Sequence, residues 1–328
     1  MKVKKLVKQS VKYPLILLVF CFASCKDAPK KNEEAKEEVA VTNTEEQKPF
    51  FKLSLAQWSL HKQVFDGGNP YDFAEKAKSL GFTGLEYVSA LYNDVKEANY
   101  SDEAMAQFIA KSNEAAKKHG MTNVLIMIDG QGDLALADKT ERKKAVENHY
   151  KWVKAAAEMG CHAIRVNLSG STNEQEWVTS SIDGLKQLGT FAKEHNINVI
   201  VENHGGLSSN GKLLSEVMSQ VNMDNVGTLP DFGNFCIKKS EEGCEEMYDN
   251  YKGVTELMPY AKAVSAKSYN FDAEGNETKI DYAKMLQIVK DAGYTGFIGV
   301  EYEGDEKGEE EGIIATRDLL VNAAKNLK

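Results

Sequence analysis

The chain has 328 residues, of which 42% are hydrophobic and 27% are charged, and these values are ordinary for a globular protein. Its formal net charge is −9, which argues against a basic surface that binds nucleic acid. An acidic protein of this kind favours neutral ligands, or ligands that a cation bridges to the protein.

Residues 1–24 predict an export signal. Five lysines precede an apolar run over residues 15–23, which is shorter than the roughly 20 residues that a bilayer-spanning helix needs. The segment ends in the letters FASC, which resemble a bacterial lipobox, so we expect Cys25 to be lipidated. The alternative is a plain signal peptide with an incidental cysteine. Lipidation predicts a membrane-anchored lipoprotein of the bacterial cell envelope, with its membrane face undecided.

Residues 25–49 consist mostly of Lys, Glu, Asn, Thr and Ala. Such a segment buries too little apolar surface to fold, and it predicts a disordered charged tether. Beyond it, the cysteines Cys161, Cys236 and Cys244 lack the spacing of a zinc ribbon. We expect all three to be small buried side chains, with a bond between Cys236 and Cys244 as the alternative.

From residue 50 to residue 328, strand patterns alternate with helix patterns. The predicted strands are 53–58, 83–87, 123–128, 162–167, 197–202, 226–230, 263–267 and 296–301, and the predicted helices are 71–80, 102–119, 139–159, 173–195, 211–221, 242–260, 282–292 and 312–326. Eight strand–helix pairs predict an α/β protein with a (β/α)8 TIM barrel. The rival, a doubly wound open sheet, needs a glycine-rich turn after the first strand, and residues 57–61 contain no glycine.

Three of the predicted strands end in an acid, namely Glu202, Asp231 and Glu301. In a parallel barrel these ends meet at one mouth. Three buried carboxylates do not all stay ionised without a positive partner, so the pattern predicts a divalent cation bound by these residues. Oxygen ligands favour Mn²⁺ or Mg²⁺, with Zn²⁺ or Co²⁺ as alternatives.

Because side chains two residues apart on a strand share a face, His204 lies on the side of Glu202, Lys267 on that of Ser265, and Asn167 on that of Arg165. The catalytic candidates are Glu202, Glu301, Lys267 and His204. The candidates for substrate binding are Trp58, Glu86, Arg165, Asn167, Asn203, Asn234 and Tyr269. Four of them have a structural alternative: Trp58 and Tyr269 can be plain core, Glu86 can form a salt bridge with Arg165 or a lysine, and His204 can be a hydrogen-bonded packing residue.

Three short motifs then indicate a family: ENHGG from Glu202, DFGN from Asp231, and VEY around Glu301. Together they resemble the xylose-isomerase-like TIM-barrel superfamily, which includes sugar phosphate isomerases and epimerases, inosose dehydratases and endonuclease-IV-like proteins. The resemblance implies a divalent metal on the three acids. In the sugar epimerases of this group it also implies that the two metal-bound glutamates exchange the proton on a carbon beside a carbonyl.

The chain departs from the family pattern at two positions. A histidine is common on strand seven in a His-x-Lys-Asp pattern, but Ser265 stands there, although Lys267 is kept. A histidine is also common three residues after the strand-six aspartate, where this chain has Asn234. His204 or a water molecule is then needed to complete the ligand set.

The resulting hypothesis is a metal-dependent sugar isomerase or epimerase that abstracts a proton next to a carbonyl. A keto-glycoside lyase or hydrolase using the same residues is one alternative, and a non-catalytic glycan-binding lipoprotein is another. The chain has only three arginines, Arg142, Arg165 and Arg317, to clamp a phosphate, which favours an unphosphorylated small carbohydrate as substrate. The sequence leaves the oligomeric state open.

Overall fold

The computed structural model describes residues 49–328. The predicted signal peptide, the lipidation site Cys25 and nearly all of the tether lie outside this range, so these remain predictions. Within the described part of the chain, no helix combines the length and the apolar character needed to cross a membrane.

Ten strands and ten α-helices form the described part of the chain. The strands are β1 (Lys52–Ala56), β2 (Gly84–Val88), β3 (Thr122–Met127), β4 (Ala163–Val166), β5 (Asn198–Glu202), β6 (Val226–Leu229), β7 (Cys236–Ser240), β8 (Gly243–Met247), β9 (Val264–Ser268) and β10 (Phe297–Tyr302). The helices are α1 (His61–Phe65), α2 (Phe73–Ser79), α3 (Asn93–Glu97), α4 (Asp102–His119), α5 (Lys139–Glu158), α6 (Glu174–Glu194), α7 (Gly211–Val221), α8 (Asn250–Leu257), α9 (Tyr282–Asp291) and α10 (Glu309–Lys325).

Eight of the strands form one curled parallel sheet in the order β6-β5-β4-β3-β2-β1-β10-β9. Isolated parallel bridges then join the two outer strands of this sheet, pairing Thr228 with Ala261 and Asp231 with Ser265. The fold is therefore TIM-barrel-like, and the predicted eight-stranded α/β architecture is confirmed. Because all eight strands run the same way, their carboxyl ends lie at one mouth.

Local chemistry explains why the helices begin and end where they do. Asp138, Asn173 and Asn210 precede α5, α6 and α7, and each side chain accepts a hydrogen bond from the first turn of its helix. Gly120 ends α4 in the left-handed region, with φ of 64°, where a glycine costs least. The bounds predicted for α4 and α7 match those in the structure.

The segment after β6 differs from the prediction. Where we expected one helix over residues 242–260, the antiparallel hairpin β7–β8 comes first and α8 begins only at Asn250. A disulfide joins Cys236 to Cys244 in this hairpin, with their Cα atoms 5.8 Å apart. The prediction of three buried cysteines is thus correct for Cys161 and wrong for the other two. The antiparallel pairing of β7 with β8 brings Cys236 and Cys244 together, although their spacing in the sequence does not indicate a disulfide.

One buried histidine makes the stability of this fold sensitive to acid. His149 on α5 is 3% exposed, and its Nδ1 lies 2.7 Å from the carbonyl oxygen of Ala145. Burial lowers the pKa of His149 to about 4. The folded protein therefore keeps this ring neutral at a pH where the unfolded chain protonates it.

We predict that the free energy of unfolding of the wild type falls relative to that of His149→Gln as the pH drops from 6.5 to 4. The loss should reach about 3 kcal/mol, because each pKa unit corresponds to about 1.4 kcal/mol. Urea denaturation of both proteins at several pH values measures the difference. Parallel pH curves for the two proteins would contradict the prediction.

Candidate active site

The three acids that end strands lie together at the mouth of the barrel. Glu202 is the last residue of β5, Asp231 follows β6 by two residues, and Glu301 lies near the end of β10. All three are buried, and one carboxylate oxygen from each lies within 4.8 Å of the others. The structure thus brings together the three residues that the sequence predicted as metal ligands.

Neutral donors hold Asp231 in place. Its Oδ1 accepts hydrogen bonds from the backbone N–H groups of Gly233 and Asn234 at 2.9 and 2.8 Å. Its Oδ2 lies 2.6 Å from Ser265 Oγ, which is also 3.2 Å from Glu301 Oε2. A serine hydroxyl has one hydrogen to donate, so Ser265 serves one of the two carboxylates at a time.

Asn203 fixes the same turn from the other side. Its Nδ2 donates to the carbonyl oxygens of Asp231 and Asn234, and its Oδ1 accepts from the backbone N–H of Asp231 at 2.8 Å. The side chain is fully buried. We predicted that the Asn203 amide would bind substrate. In the structure both of its polar atoms bond to the backbone of residues 231 and 234, and these bonds position Asp231.

Two cations compensate part of the negative charge. Arg165 pairs with Asp129 and with Glu202, at 2.9 Å in each case. Lys267 lies 3.1 Å from Glu301 and 3.2 Å from Glu303. Asp231 has no ion pair among the described residues, so the mouth has more acids than cations.

The imbalance appears in the acid pKa values. Burial raises the pKa of Glu202 to about 7 although Arg165 opposes this, and burial raises the pKa of Asp231 to about 7 although Lys267 opposes it. Burial also acts on Glu301, but Lys267 outweighs it and holds the pKa of that carboxyl below its ordinary value.

These donors suit a divalent cation. The site offers three convergent carboxylates with a surplus of negative charge. Burial, with a smaller contribution from neighbouring acids, keeps two of them partly neutral. Additional positive charge would let all three ionise, and a set of oxygen donors suits Mg²⁺ or Mn²⁺. Ser265 lies on β9, the seventh strand of the barrel, at the position where a histidine is common in the family. It contributes a hydroxyl there, so the set contains no imidazole from this strand.

Glu86 lies deeper in the barrel. It is fully buried, its Oε1 accepts a hydrogen bond from Ser54 at 2.6 Å, and its Oε2 has no partner among the described residues. Gly299 makes room for it, since a Cβ at that position would overlap the Glu86 carboxyl group. Burial raises the pKa of Glu86 to about 8, so the group is mainly neutral at pH 7. The alternative role for Glu86, a salt bridge to Arg165 or a lysine, is not found, since its hydrogen-bond partner in the described residues is Ser54.

The remaining predicted residues lie around the mouth. Asn234 donates to Glu202 Oε1 at 3.1 Å, and Asn167 donates to Asp129 while its own Oδ1 has no partner among the described residues. His204 is exposed, and partial desolvation together with the charge of Arg165 and Lys267 lowers its pKa.

Two half-buried aromatic residues also follow barrel strands. The hydroxyl of Tyr269 packs against Gly233, beside Asp231. Trp58 stacks on His61, with ring centroids 4.4 Å apart. It lies in a 3₁₀ turn over Gln57–Leu60, just beyond the end of β1, whereas we expected it within the strand.

Sequence reasoning did not select Asp129, Ser54 or Glu303 as site residues. Asp129 had a usable signal, because it follows the apolar run VLIMI as directly as the other acids follow theirs. Ser54 and Glu303 had none, since a serine within a strand and an acid within an acidic loop are common. The role of Ser54 depends on its distance to Glu86, and that of Glu303 depends on its distance to Lys267.

Comparison with known proteins assigns the chain to a family. A family model described as "Xylose isomerase-like TIM barrel" matches residues 74–322, and the chain belongs to this family. The family that the sequence motifs suggested is thereby confirmed.

Two solved structures show the same fold at low sequence identity. The IOLI protein, described with a bound zinc atom, has a TM-score of 0.63 and 15% identity, covering 85% of this chain and 99% of its own. A D-psicose 3-epimerase from Clostridium cellulolyticum, solved with D-tagatose, has a TM-score of 0.61 and 15% identity, covering 84% of this chain and 99% of its own.

A short local match was also found. The 3'-dehydrocarminate deglycosidase alpha subunit of a Microbacterium species is 40% identical over 48 residues, which is 15% of this chain. The match spans 14% of that relative.

We predict that Glu86→Gln, which imitates the neutral carboxyl, removes a pH dependence of stability. Because the pKa of Glu86 is raised from 4.5 to about 8 on folding, the unfolded chain ionises first as the pH rises. The unfolding free energy of the wild type should therefore fall relative to that of Glu86→Gln between pH 4.5 and 8. Denaturation in a chelating buffer measures this, and a wild type that gains stability relative to the variant over this interval would refute it.

Proposed function

We propose that this protein is a carbohydrate isomerase or epimerase that moves a proton on a carbon next to a carbonyl group. The observation that carries the proposal is the pair of buried glutamates, Glu202 and Glu301, which converge on one small volume with Asp231. Each glutamate is paired with a different cation, so the two carboxyls have different electrostatic environments. Paired carboxyls of this kind suit removal and return of one proton.

In this scheme Glu202, Asp231 and Glu301 would hold a divalent cation. When bound, the cation would supply Lewis-acid stabilisation of the negative charge that develops on the substrate oxygens. The family relationship supports this assignment, as does the surplus of acid at the mouth.

Glu301 is the glutamate that is available as a base, because Lys267 keeps it ionised. It takes the proton from the carbon, and the electron pair of that C–H bond moves towards the carbonyl oxygen. The ammonium group of Lys267 has three hydrogens and two carboxylate partners, so one hydrogen remains to donate to that oxygen.

Glu202 begins in the neutral form that its raised pKa allows, and it returns a proton from a different strand of the barrel. The proton taken by Glu301 then passes to solvent, and Glu202 regains one, before the next turnover. Protonation of the same carbon from its other face completes an epimerisation. Protonation of the former carbonyl carbon completes an isomerisation, provided that the hydroxyl on the first carbon gives up its proton to become the new carbonyl while the former carbonyl oxygen keeps one. Asn234 and Arg165 hold the Glu202 carboxyl through separate oxygens, which keeps it oriented while its charge changes.

We expect Glu301→Gln and Glu202→Gln each to lower turnover by a factor of about 10² to 10⁴, the usual contribution of a general acid or base. The measurement is the incorporation of deuterium from D₂O into a panel of ketohexoses and aldoses, followed by mass spectrometry. Glu114→Gln, on the exposed face of α4, is the matched control and should exchange like the wild type. Unchanged exchange in either site variant would refute the mechanism.

We also expect Asp231→Asn to weaken Mn²⁺ binding by at least about 100-fold, since the loss of even an outer-shell partner of a metal ligand costs 10- to 100-fold. The amide keeps an oxygen for the Gly233 and Asn234 N–H groups, so the turn should survive. Calorimetric titration of the chelator-treated protein with Mn²⁺ measures the affinity. The exposed Asp133→Asn is the control, and equal affinities in all three proteins would exclude the metal site.

A second reaction is favoured by the local match to the deglycosidase subunit. If the substrate is a keto-glycoside, removal of the same proton can be followed by cleavage of the C–O bond at the next carbon. The electron pair of the C–H bond then forms a C=C bond, and the leaving alcohol takes a proton from Glu202. Product analysis distinguishes the two reactions, because elimination releases a free alcohol or sugar while epimerisation releases nothing.

A further inference from the structure

A groove of about 720 Å³ lies beside the acid mouth, and the proposed proton transfer does not use it. It is formed by the loop after β4, by the turn after β5 and by the β7–β8 hairpin. Its volume falls within the range of small-molecule sites, roughly 300–1,000 Å³. The groove therefore has room for a ligand group in addition to the reacting sugar.

His204 connects the groove to the mouth. It lines the groove, and it follows Glu202 by two residues on the same chain segment. A ligand bound at the acids can thus continue past His204 without leaving the protein surface.

The loop after β4 is held firmly. Gly170 pairs with Ala135 in an isolated bridge, with hydrogen bonds of 2.9 and 3.1 Å on either side of it. Gly170 has φ of 150°, and a side chain there would overlap the Ala135 carbonyl. Below the loop, the indole N–H of Trp177 donates to the carbonyl of Leu168 at 2.8 Å. This wall is preorganised.

The hairpin wall is anchored at its base. Phe235 is fully buried, and its carbonyl accepts a hydrogen bond from Tyr248 at 2.9 Å, so the two ends of the hairpin are joined. The Cys236–Cys244 disulfide links its strands. A site with fixed walls binds a ligand without the entropic cost of ordering them.

The lining indicates what kind of ligand fits. Lys238 and Lys239 are matched in number by Glu174 and Glu246, so the groove has no strong charge of either sign. Hydroxyl and amide side chains lie between the charged ones, from Ser169, Thr172 and Asn210. Such a surface suits a neutral ligand with many hydroxyl groups, and it disfavours a phosphate.

We infer that this groove binds the second sugar unit of a glycoside whose first unit occupies the acid mouth. The inference rests on the proposed function, since it extends the substrate of that same site from a free sugar to a glycoside. Thr172 at the loop and Lys239 at the hairpin are then specificity residues for the second unit.

The test compares D-fructose with disaccharides that end in a fructose unit with a free carbonyl, namely maltulose, lactulose, turanose and isomaltulose. We expect the wild type to exchange deuterium into at least one disaccharide with a kcat/KM about tenfold or more above that for fructose, as is usual when a pocket gains contacts. Thr172→Trp should remove this advantage by filling the groove, and it should leave fructose exchange unchanged.

Thr179→Trp on the exposed face of α6 is the matched control and should keep the disaccharide preference. A second variant, Lys239→Ala with Glu246→Ala, removes groove contacts without adding bulk and should also lower the preference. Equal kcat/KM for fructose and every disaccharide in the wild type would overturn the inference while leaving the proposed function intact. A preference that survives in both groove variants would overturn it as well.

Calorimetry separates this inference from the proposed function. If no sugar exchanges deuterium, the proposed reaction is wrong. The affinities of the protein for fructose and for the disaccharides then test whether the groove binds a sugar unit. Tighter binding of a disaccharide than of fructose, weakened about tenfold or more by Thr172→Trp but not by Thr179→Trp, supports the groove as a sugar site. The inference is overturned if the wild type binds fructose and the disaccharides with equal affinity. It is also overturned if Thr172→Trp and Thr179→Trp bind the disaccharide with equal affinity.

Discussion

The pairing of Asp231 with Ser265 is the contact on which the rest of the site depends. It joins the two outer strands of the curled sheet, with Phe232 donating to the Ser265 carbonyl and Ser265 donating to that of Pro230. The same pairing sets the Ser265 hydroxyl against the aspartate. Because side chains alternate along a strand, it also directs Lys267 to the same face, where it meets Glu301.

The second constraint on the site is its charge. It follows from the pairing of the two outer strands, which brings the acids together at one mouth. The mouth has five acids and two cations, and its three buried carboxylates, Glu202, Asp231 and Glu301, cannot all stay ionised with so few positive partners. Arg165 and Lys267 each serve two acids, while Asp231 depends on neutral donors. The electrostatic imbalance is the physical reason to expect a cation here, and it is independent of the family relationship. Glu86 below the mouth is mainly neutral because it is buried, and the charges of Glu301 and Glu202 add to that effect.

The departures of this chain from the family pattern become interpretable in the structure. Ser265 stands where a histidine is common, and its hydroxyl reaches two of the three acids. Asn234 stands where another histidine is common, and its amide holds Glu202. Both substitutions thus keep a hydrogen-bonding role within the site. Meanwhile the hairpin after β6 adds a wall beside the mouth, so this chain differs from a plain barrel in the region where a longer substrate would lie.

The sequence by itself determined the eight barrel strands and the alternation of strands with helices, apart from the hairpin after β6, and it determined the acids at the ends of three of the strands. Both are local patterns: apolar runs have the period of their element, and Glu202, Asp231 and Glu301 each follow such a run. Tertiary structure alone decided that Asn203 supports the Asp231 turn, that Asp129 shares Arg165 with Glu202, and that Cys236 and Cys244 are joined across a hairpin. These relations depend on distances between residues far apart in the chain or on strand register, and no periodicity of the sequence encodes either.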